Sequence, residues 1–219
     1  MRVALADDSA LFRRGLAGLL GSAGVETIAE AASGEELLCR LADDVPDVVV
    51  LDIRMPPTFT DEGLATAEQV HARYPEVGIL VLSTYAQTDY ATRLLELGTS
   101  RVGYLLKDRV DDIATLSDAL ARLHHDETVI DPDIVERLLA RRRRSQVLDE
   151  LTPREREVLR SMAEGRSNAG IGRDLFLSPR TVEVHAAAVF AKLGLHAESE
   201  SNRRVLAVLT WLRANDAAG

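Results

Sequence analysis

Across residues 1–125, short apolar runs alternate with stretches whose apolar residues recur at helical spacing. The runs are Val3–Ala6, Thr27–Ala31, Val48–Leu51, Ile79–Leu82 and Val102–Leu106. Val48-Val49-Val50-Leu51 is unbroken and almost wholly β-branched, the pattern of a strand buried on both faces. The stretches between and after them predict helices over residues 9–21, 34–42, 63–74, 88–97 and 110–124. In the first, Leu11, Phe12, Gly15, Leu16, Leu19 and Leu20 recur at helical spacing; in the last, Ile113, Leu116, Ala119, Leu120 and Leu123 do likewise. Five strands alternating with five helices predict a doubly wound α/β domain around a parallel sheet.

The pattern then changes. Asp131-Pro132 opens a helix through Ile134, Val135, Leu138 and Leu139 that runs into Arg141-Arg142-Arg143-Arg144. From Leu151 onward only helical periodicity is present. Thr152-Pro153-Arg154-Glu155 reads as a capping box with proline at the first helical position. Ser167 caps a second helix through Ile171 and Leu175. Ser178-Pro179 opens a third with Val182, Ala186, Val189, Phe190 and Leu193 inward, and residues 201–212 form a last one with Val205, Leu206, Val208, Leu209 and Leu212 inward. The tight turn before the third helix predicts a helix-turn-helix whose recognition helix starts at Pro179. The predicted organisation is a domain over 1–125, a connector with a helix over 126–150 and an all-α domain over 151–219.

Charge follows this division. The chain of 219 residues carries a formal charge of −9. Residues 1–125 hold 11 Lys/Arg against 20 Asp/Glu, whereas residues 151–219 hold 10 against 8. The acidity belongs to the first domain, so the overall charge does not argue against nucleic acid at the second. One cysteine, Cys39, excludes an internal disulfide framework and a cysteine-rich zinc site. It lies between Leu38 and Leu41 and is expected to pack. No apolar run reaches the roughly 18–20 residues of a membrane span, and the amino terminus turns acidic within eight residues, so no signal peptide is read. A cytoplasmic protein without a membrane partner is the expectation.

In a flavodoxin-like sheet of order 2-1-3-4-5, the first and third strands are neighbours and ligands bind at the strands' carboxyl ends. Asp7 and Asp8 follow the first strand and Asp52 ends the third, so three carboxylates should share one pocket. Such a cluster suits Mg²⁺, which takes a few carboxylates together with water and phosphate oxygens. Ser83 after the fourth strand and Lys107 after the fifth add a hydroxyl and an ammonium. Together these are the groups that position and neutralise a phosphoryl group on Asp52 as nucleophile.

Asp7-Asp8, Asp52-Ile53-Arg54-Met55-Pro56, Leu82-Ser83 and Gly103-Tyr104-Leu105-Leu106-Lys107-Asp108 resemble the receiver domain of two-component response regulators. The resemblance implies Asp52 as phosphoacceptor and Mg²⁺ held by Asp7, Asp8, Asp52 and the Arg54 carbonyl. It also implies Ser83 and Lys107 on the phosphoryl group, with Tyr104 turning inward alongside Ser83 on activation. Residues 57–62 exceed the usual loop by about three positions beside the site, and two further residues are extra around Thr99–Val102.

In the second domain, Leu151 through Leu159, Glu164-Gly165-Arg166-Ser167-Asn168, Thr181-Val182-Glu183-Val184-His185 and Lys192-Leu193-Gly194 resemble the LuxR-type DNA-binding domain. The whole chain is thus similar to response regulators of the NarL/FixJ type. The resemblance implies a transcriptional regulator phosphorylated by a histidine kinase, dimeric when activated and bound to paired half-sites of double-stranded DNA. The face opposite the recognition helix's apolar stripe offers Arg180, Glu183, Val184, Ala187 and Ala191, with Thr181 a further DNA-binding candidate; Arg166, Arg173 and Lys192 are the candidates for phosphate. With Arg180 the one base-capable cation, methyl contacts from Val184 and Ala187 to thymine should carry part of the readout. Gly170 and Gly172 within the short second helix each cost about 1 kcal/mol against alanine, so that domain is expected to be loosely held alone. In this family the last helix, which carries Trp211, often makes the dimer contact.

Two other readings compete. A haloacid-dehalogenase-type hydrolase needs a second acid two positions after its nucleophile, and Arg54 stands there. An orphan regulator would act independently of phosphorylation, through DNA or protein partners.

Overall fold

The computed structural model describes residues 1–110, 112–195 and 202–215, the side chains of 144, 145 and 215 excepted. It divides into two units, Met1–Val135 and Glu136–Gly219.

The first unit is built on β1 (Arg2–Ala6), β2 (Glu26–Ala31), β3 (Val48–Asp52), β4 (Gly78–Ser83) and β5 (Val102–Leu106). They alternate with α1 (Ala10–Ser22), α2 (Gly34–Leu41), α3 (Glu62–Arg73), α4 (Thr88–Leu97) and α5 (Ile113–His124). All pairings are parallel, and the strand order is β2-β1-β3-β4-β5-β6. The order expected for five strands holds, but the sheet has six. β6 (Val129–Ile130) lies in the stretch read as connector and pairs with β5, Gly103 opposite Val129 and Tyr104 opposite Ile130. Two residues are too few to display a period of two, so the sequence alone does not signal this strand.

β3, β4 and β5 are buried along their whole length, as expected for strands covered on both faces. Val3, Leu5, Val48, Val50, Leu80, Leu82 and Leu105 pack on one face against Leu16 and Leu20 of α1 and Leu116, Leu120 and Leu123 of α5. α2, α3 and α4 pack in sequence with one another against the remaining residues of the alternation. Cys39 departs from expectation and is exposed. α2 buries Gly34, Leu37 and Leu41, a face three and four residues apart that leaves Cys39 on the far side of the helix.

α6 (Pro132–Asp149) carries the chain across the division between units. The second unit adds α7 (Pro153–Ala163), α8 (Asn168–Asp174), α9 (Pro179–Lys192) and α10 (Arg203–Asn215). Thr152 caps α7 with the complete capping box: its backbone N–H donates to Glu155 at 2.8 Å and its hydroxyl accepts from the Glu155 N–H at 3.3 Å. Among the described residues, two apolar clusters hold the unit. One joins Val158, Met162, Ile171, Val182 and Ala186; the other joins Leu148, Leu151, Leu159, Val189 and Ala207.

The inward face of α10 differs from the expectation. Ala207 is buried, with Val208, Trp211 and Ala214 packed beside the clusters, while Val205, Leu206, Leu209 and Leu212 are exposed. A helix rich in apolar residues on both sides does not announce its inner face. α8 also differs in its energetics. A Cβ on Gly172 would lie 2.8 Å from the Leu177 carbonyl oxygen, whereas one on Gly170 would meet only ordinary contacts at 3.6 Å. Gly172 therefore permits the tight approach of the turn, and only Gly170 is a plain propensity cost.

Candidate phosphoryl-transfer site and nucleic-acid face

Parallel pairing of β1 with β3 sets Ala6 opposite Leu51, so the residues that follow them, Asp7 and Asp52, emerge side by side. Carboxylate oxygens of Asp7, Asp8 and Asp52 all lie within 4.8 Å of one another. Asp7 and Asp52 are buried; Asp8 is exposed. Lys107, directly after β5, sets its Nζ 2.7 Å from Asp7 Oδ2 and 2.8 Å from Asp52 Oδ1. The ammonium also sits 4.6 Å above the Phe12 ring, a contact that favours a cation. The other Asp7 oxygen accepts the Ser9 N–H at 2.8 Å.

Burial pushes the Asp52 carboxyl above its ordinary pKa; Asp7 and Asp8 add to that, and Lys107 opposes it. For Lys107, burial acts to lower the pKa, but the bonds to Asp52 and Asp7 outweigh it and hold the ammonium above the usual lysine value. One cation among three carboxylates leaves the pocket short of positive charge.

Beside Asp52 lies a cavity of about 50 Å³ lined by Asp52, Ile53, Arg54, Ser83, Thr84 and Tyr85. Ser83, the last residue of β4, donates from its hydroxyl to the Tyr85 carbonyl at 2.8 Å and accepts the Tyr85 N–H at 3.2 Å. Tyr104 is wholly buried and donates to the same carbonyl at 3.2 Å. Burial raises its phenol pKa. Tyr104 thus stands inward with Ser83, both meeting at Tyr85. The sequence reading missed Tyr85, whose only signal is its place two residues after Ser83. Its exposed ring faces the Arg54 guanidinium at 5.6 Å, at the rim of the cavity.

Gly63 closes the floor. A Cβ there would fall 1.9 Å from the Asp52 carbonyl oxygen, and its N–H donates to the Ile53 carbonyl at 2.9 Å. Only glycine lets α3 begin this close to the end of β3. The longer loop before it folds on itself: Thr58 and Thr60 donate their N–H groups to Glu62, each at 2.9 Å. It is also tied to α4. Arg93 pairs with Asp61 of the loop and, at 2.7 Å, with Glu68 of α3, and Tyr90 donates to the Thr60 carbonyl at 3.3 Å.

On α9, Val182, Ala186 and Val189 face the core, while Arg180, Glu183, Val184, Ala187 and Ala191 form an exposed stripe. Arg180 is 86% exposed, with Glu183 3.7 Å away. Thr181 is half-buried and bonded through its N–H and hydroxyl to Ser178, the cap of the helix. The candidate phosphate contacts fare unequally. Arg173 is exposed and has no ion-pair partner among the described residues. Arg166 pairs with Asp174 and, at 3.2 Å, with Glu164. Lys192 bonds to Glu155 at 2.7 Å and to the Glu150 carbonyl at 3.1 Å, so it serves the domain's interior.

Residues 3–122 match the family model described as the response regulator receiver domain. Residues 149–209 match that of the bacterial regulatory proteins of the luxR family. The chain is 33% identical over 216 residues to a nitrate/nitrite response regulator protein homolog of Haemophilus influenzae, covering 98% of each chain. It is 31% identical over 211 residues to the oxygen regulatory protein NreC of Staphylococcus epidermidis, covering 91% of this chain and 94% of that one. Among solved structures it resembles the Salmonella typhimurium RcsB response regulator, with a TM-score of 0.60 and 26% identity over 97% of each chain. It also resembles the RcsB–DNA complex, with a TM-score of 0.56 and 25% identity over 98% of each chain.

Proposed function

The chain belongs to the NarL/FixJ-type response regulators, a receiver domain followed by a LuxR-type helix-turn-helix domain, and we propose that it regulates transcription through phosphorylation of Asp52. The observation that carries this reading is the contact of Lys107 with both Asp7 and Asp52 beside a cavity rimmed by Ser83. An Asp52 carboxylate oxygen attacks the phosphorus of a phosphohistidine on a histidine kinase. The P–N bond breaks, the imidazole leaves with a proton, and an acyl phosphate remains. Lys107 then faces a phosphoryl oxygen, and Ser83 exchanges the Tyr85 carbonyl for another. This is the chain's own phosphoryl transfer, not turnover of an outside substrate.

The donor set fits Mg²⁺: three clustered carboxylates supply hard oxygens, and their charge exceeds what Lys107 neutralises. Asp7, Asp8, Asp52 and the Arg54 carbonyl would hold it, and when bound it neutralises phosphoryl oxygens. No described helix is long and apolar enough to cross a membrane, and we read the protein as cytoplasmic. DNA binding falls to α9, with Arg180, Glu183, Val184 and Ala187 towards bases and Arg173 towards phosphate. A dimer on paired half-sites follows, because two weak modules gain affinity through effective concentration.

The test is intact mass after incubation with acetyl phosphate and Mg²⁺. Wild type should gain one phosphoryl group and Asp52→Asn none. A folded wild type without an adduct would sink the reading in favour of an orphan regulator.

A further inference from the structure

Asp131 is a fully buried carboxylate outside the site, and none of the chemistry above uses it. It stands between the two residues of β6 and the first residue of α6 and bonds in both directions. Its Oδ1 accepts the Asp133 N–H at 2.9 Å, and its carbonyl accepts the N–H groups of Ile134 and Val135, each at 3.0 Å. Asp131 therefore caps α6. Its Oδ2 accepts the Leu106 N–H at 3.3 Å and lies 3.4 Å from Nε of Arg109. Its own N–H donates to the Tyr104 carbonyl at 2.8 Å. One side chain thus holds the end of β5, at the peptide before Lys107, and the start of the helix that leads into the second unit.

The strand before Asp131 is pinned at its other end as well. The Arg101 N–H donates to the Glu127 carbonyl at 3.1 Å, the Arg101 side chain pairs with Asp126, and the Thr128 hydroxyl donates to the Thr99 carbonyl at 2.5 Å. These anchors fall in the Thr99–Val102 segment that the sequence marks as longer than usual. The start of the connector, residues 126–131, is thus bonded both to the segment before β5 and to β5 itself.

We propose that Asp131 is a positioning residue that couples Lys107 to the start of α6, so that phosphorylation at Asp52 is relayed to the output domain through this carboxylate. The inference rests on the phosphorylation reading above. When Lys107 leaves Asp7 and Asp52 for a phosphoryl oxygen, the Leu106–Arg109 backbone shifts, and Asp131 transmits the shift to the α6 cap. Coupling between equilibria is reciprocal, so loosening Asp131 also shifts the equilibrium of phosphoryl transfer to Asp52.

Asp131→Ser separates this relay from a merely structural role. Serine still caps the helix, but its side chain is too short to hold Leu106 and Arg109 as well. Hydrogen exchange over residues 129–138 is measured on the full chain, with and without acetyl phosphate and Mg²⁺, while intact mass follows adduct formation and decay. In wild type, phosphorylation should change exchange there by roughly fivefold or more, the low end of common allosteric couplings. Asp131→Ser should still form the adduct, with that ratio near one. A structural role alone would speed exchange in both states and leave the ratio at its wild-type value, and that result overturns the proposal. Should Asp131→Ser not fold, Arg109→Gln, at a partly exposed side chain, should reduce the ratio; an unchanged ratio overturns the proposal equally. A wild type without an adduct overturns the phosphorylation reading itself, and the relay with it.

Discussion

Lys192 donates to the buried carboxylate of Glu155 across 2.7 Å, joining the last turn of α9 to the capping box of α7. The basic residue at the end of the recognition helix is therefore a structural counter-ion. Glu155 Oε2 accepts both the Thr152 N–H and the Lys192 ammonium, so loss of the lysine leaves a buried carboxylate without its counter-charge. Lys192→Gln should destabilise the second domain by about 1–3 kcal/mol, seen as a lower melting midpoint. The salt dependence of binding to a mixed-sequence duplex should stay as in wild type. Arg173→Gln should reduce that slope by about one while leaving the melt unchanged.

The two glycines of α8 should respond in opposite directions. Gly170→Ala has room for its methyl group and should stabilise by about 0.5–1 kcal/mol. Gly172→Ala drives a methyl group to 2.8 Å from the Leu177 carbonyl oxygen and should destabilise by about 1–3 kcal/mol. Denaturant unfolding of the full chain reads both; equal responses would contradict the packing described.

Two carboxylates should give the domains opposite pH responses. Asp52 has its pKa raised by burial, so its stabilising contribution is complete below its ordinary value of 3.8 and is lost as pH rises through the raised one. In Glu155, burial acts upward but the bonds from Lys192 and Thr152 win, and its pKa is lowered. Its contribution is present above 4.5 and is lost as pH falls through the lowered value. With metal chelated, Asp52→Asn should raise the receiver's calorimetric midpoint at pH 7, by an amount that shrinks towards pH 3.8. Glu155→Gln should lower the second domain's midpoint at pH 7, again with a difference that closes in acid.

Val205, Leu209 and Leu212 lie three and four residues apart on the exposed side of α10. Apolar residues at that spacing suit a second copy of the helix. Leu209→Glu should weaken dimerisation of the phosphorylated protein by at least about tenfold in sedimentation, with stability within about 0.5 kcal/mol of wild type. Ala207→Glu, on the buried side, should unfold the domain instead.

What the sequence determined by itself is the five strand–helix alternations of the first domain, the helices after them and the constellation at the strand ends. Val48–Leu51 is recognisable as a buried strand because its pattern is local. Asp7, Asp8, Asp52, Ser83 and Lys107 converge because a parallel doubly wound sheet brings every strand's carboxyl end to one edge. The Thr152 capping box and the Pro179 start of the recognition helix are equally local. Tertiary structure decided what depends on a distant neighbour. β6 exists only because β5 offers it an edge, and Asp131 matters only because Leu106 and Arg109 come within its reach. Lys192 found Glu155 before it could meet a phosphate, and Gly172 answers to a carbonyl five residues away around a turn. Cys39 and the outer face of α10 were misread for the same reason: periodicity says that a helix has sides, and only packing says which side is covered.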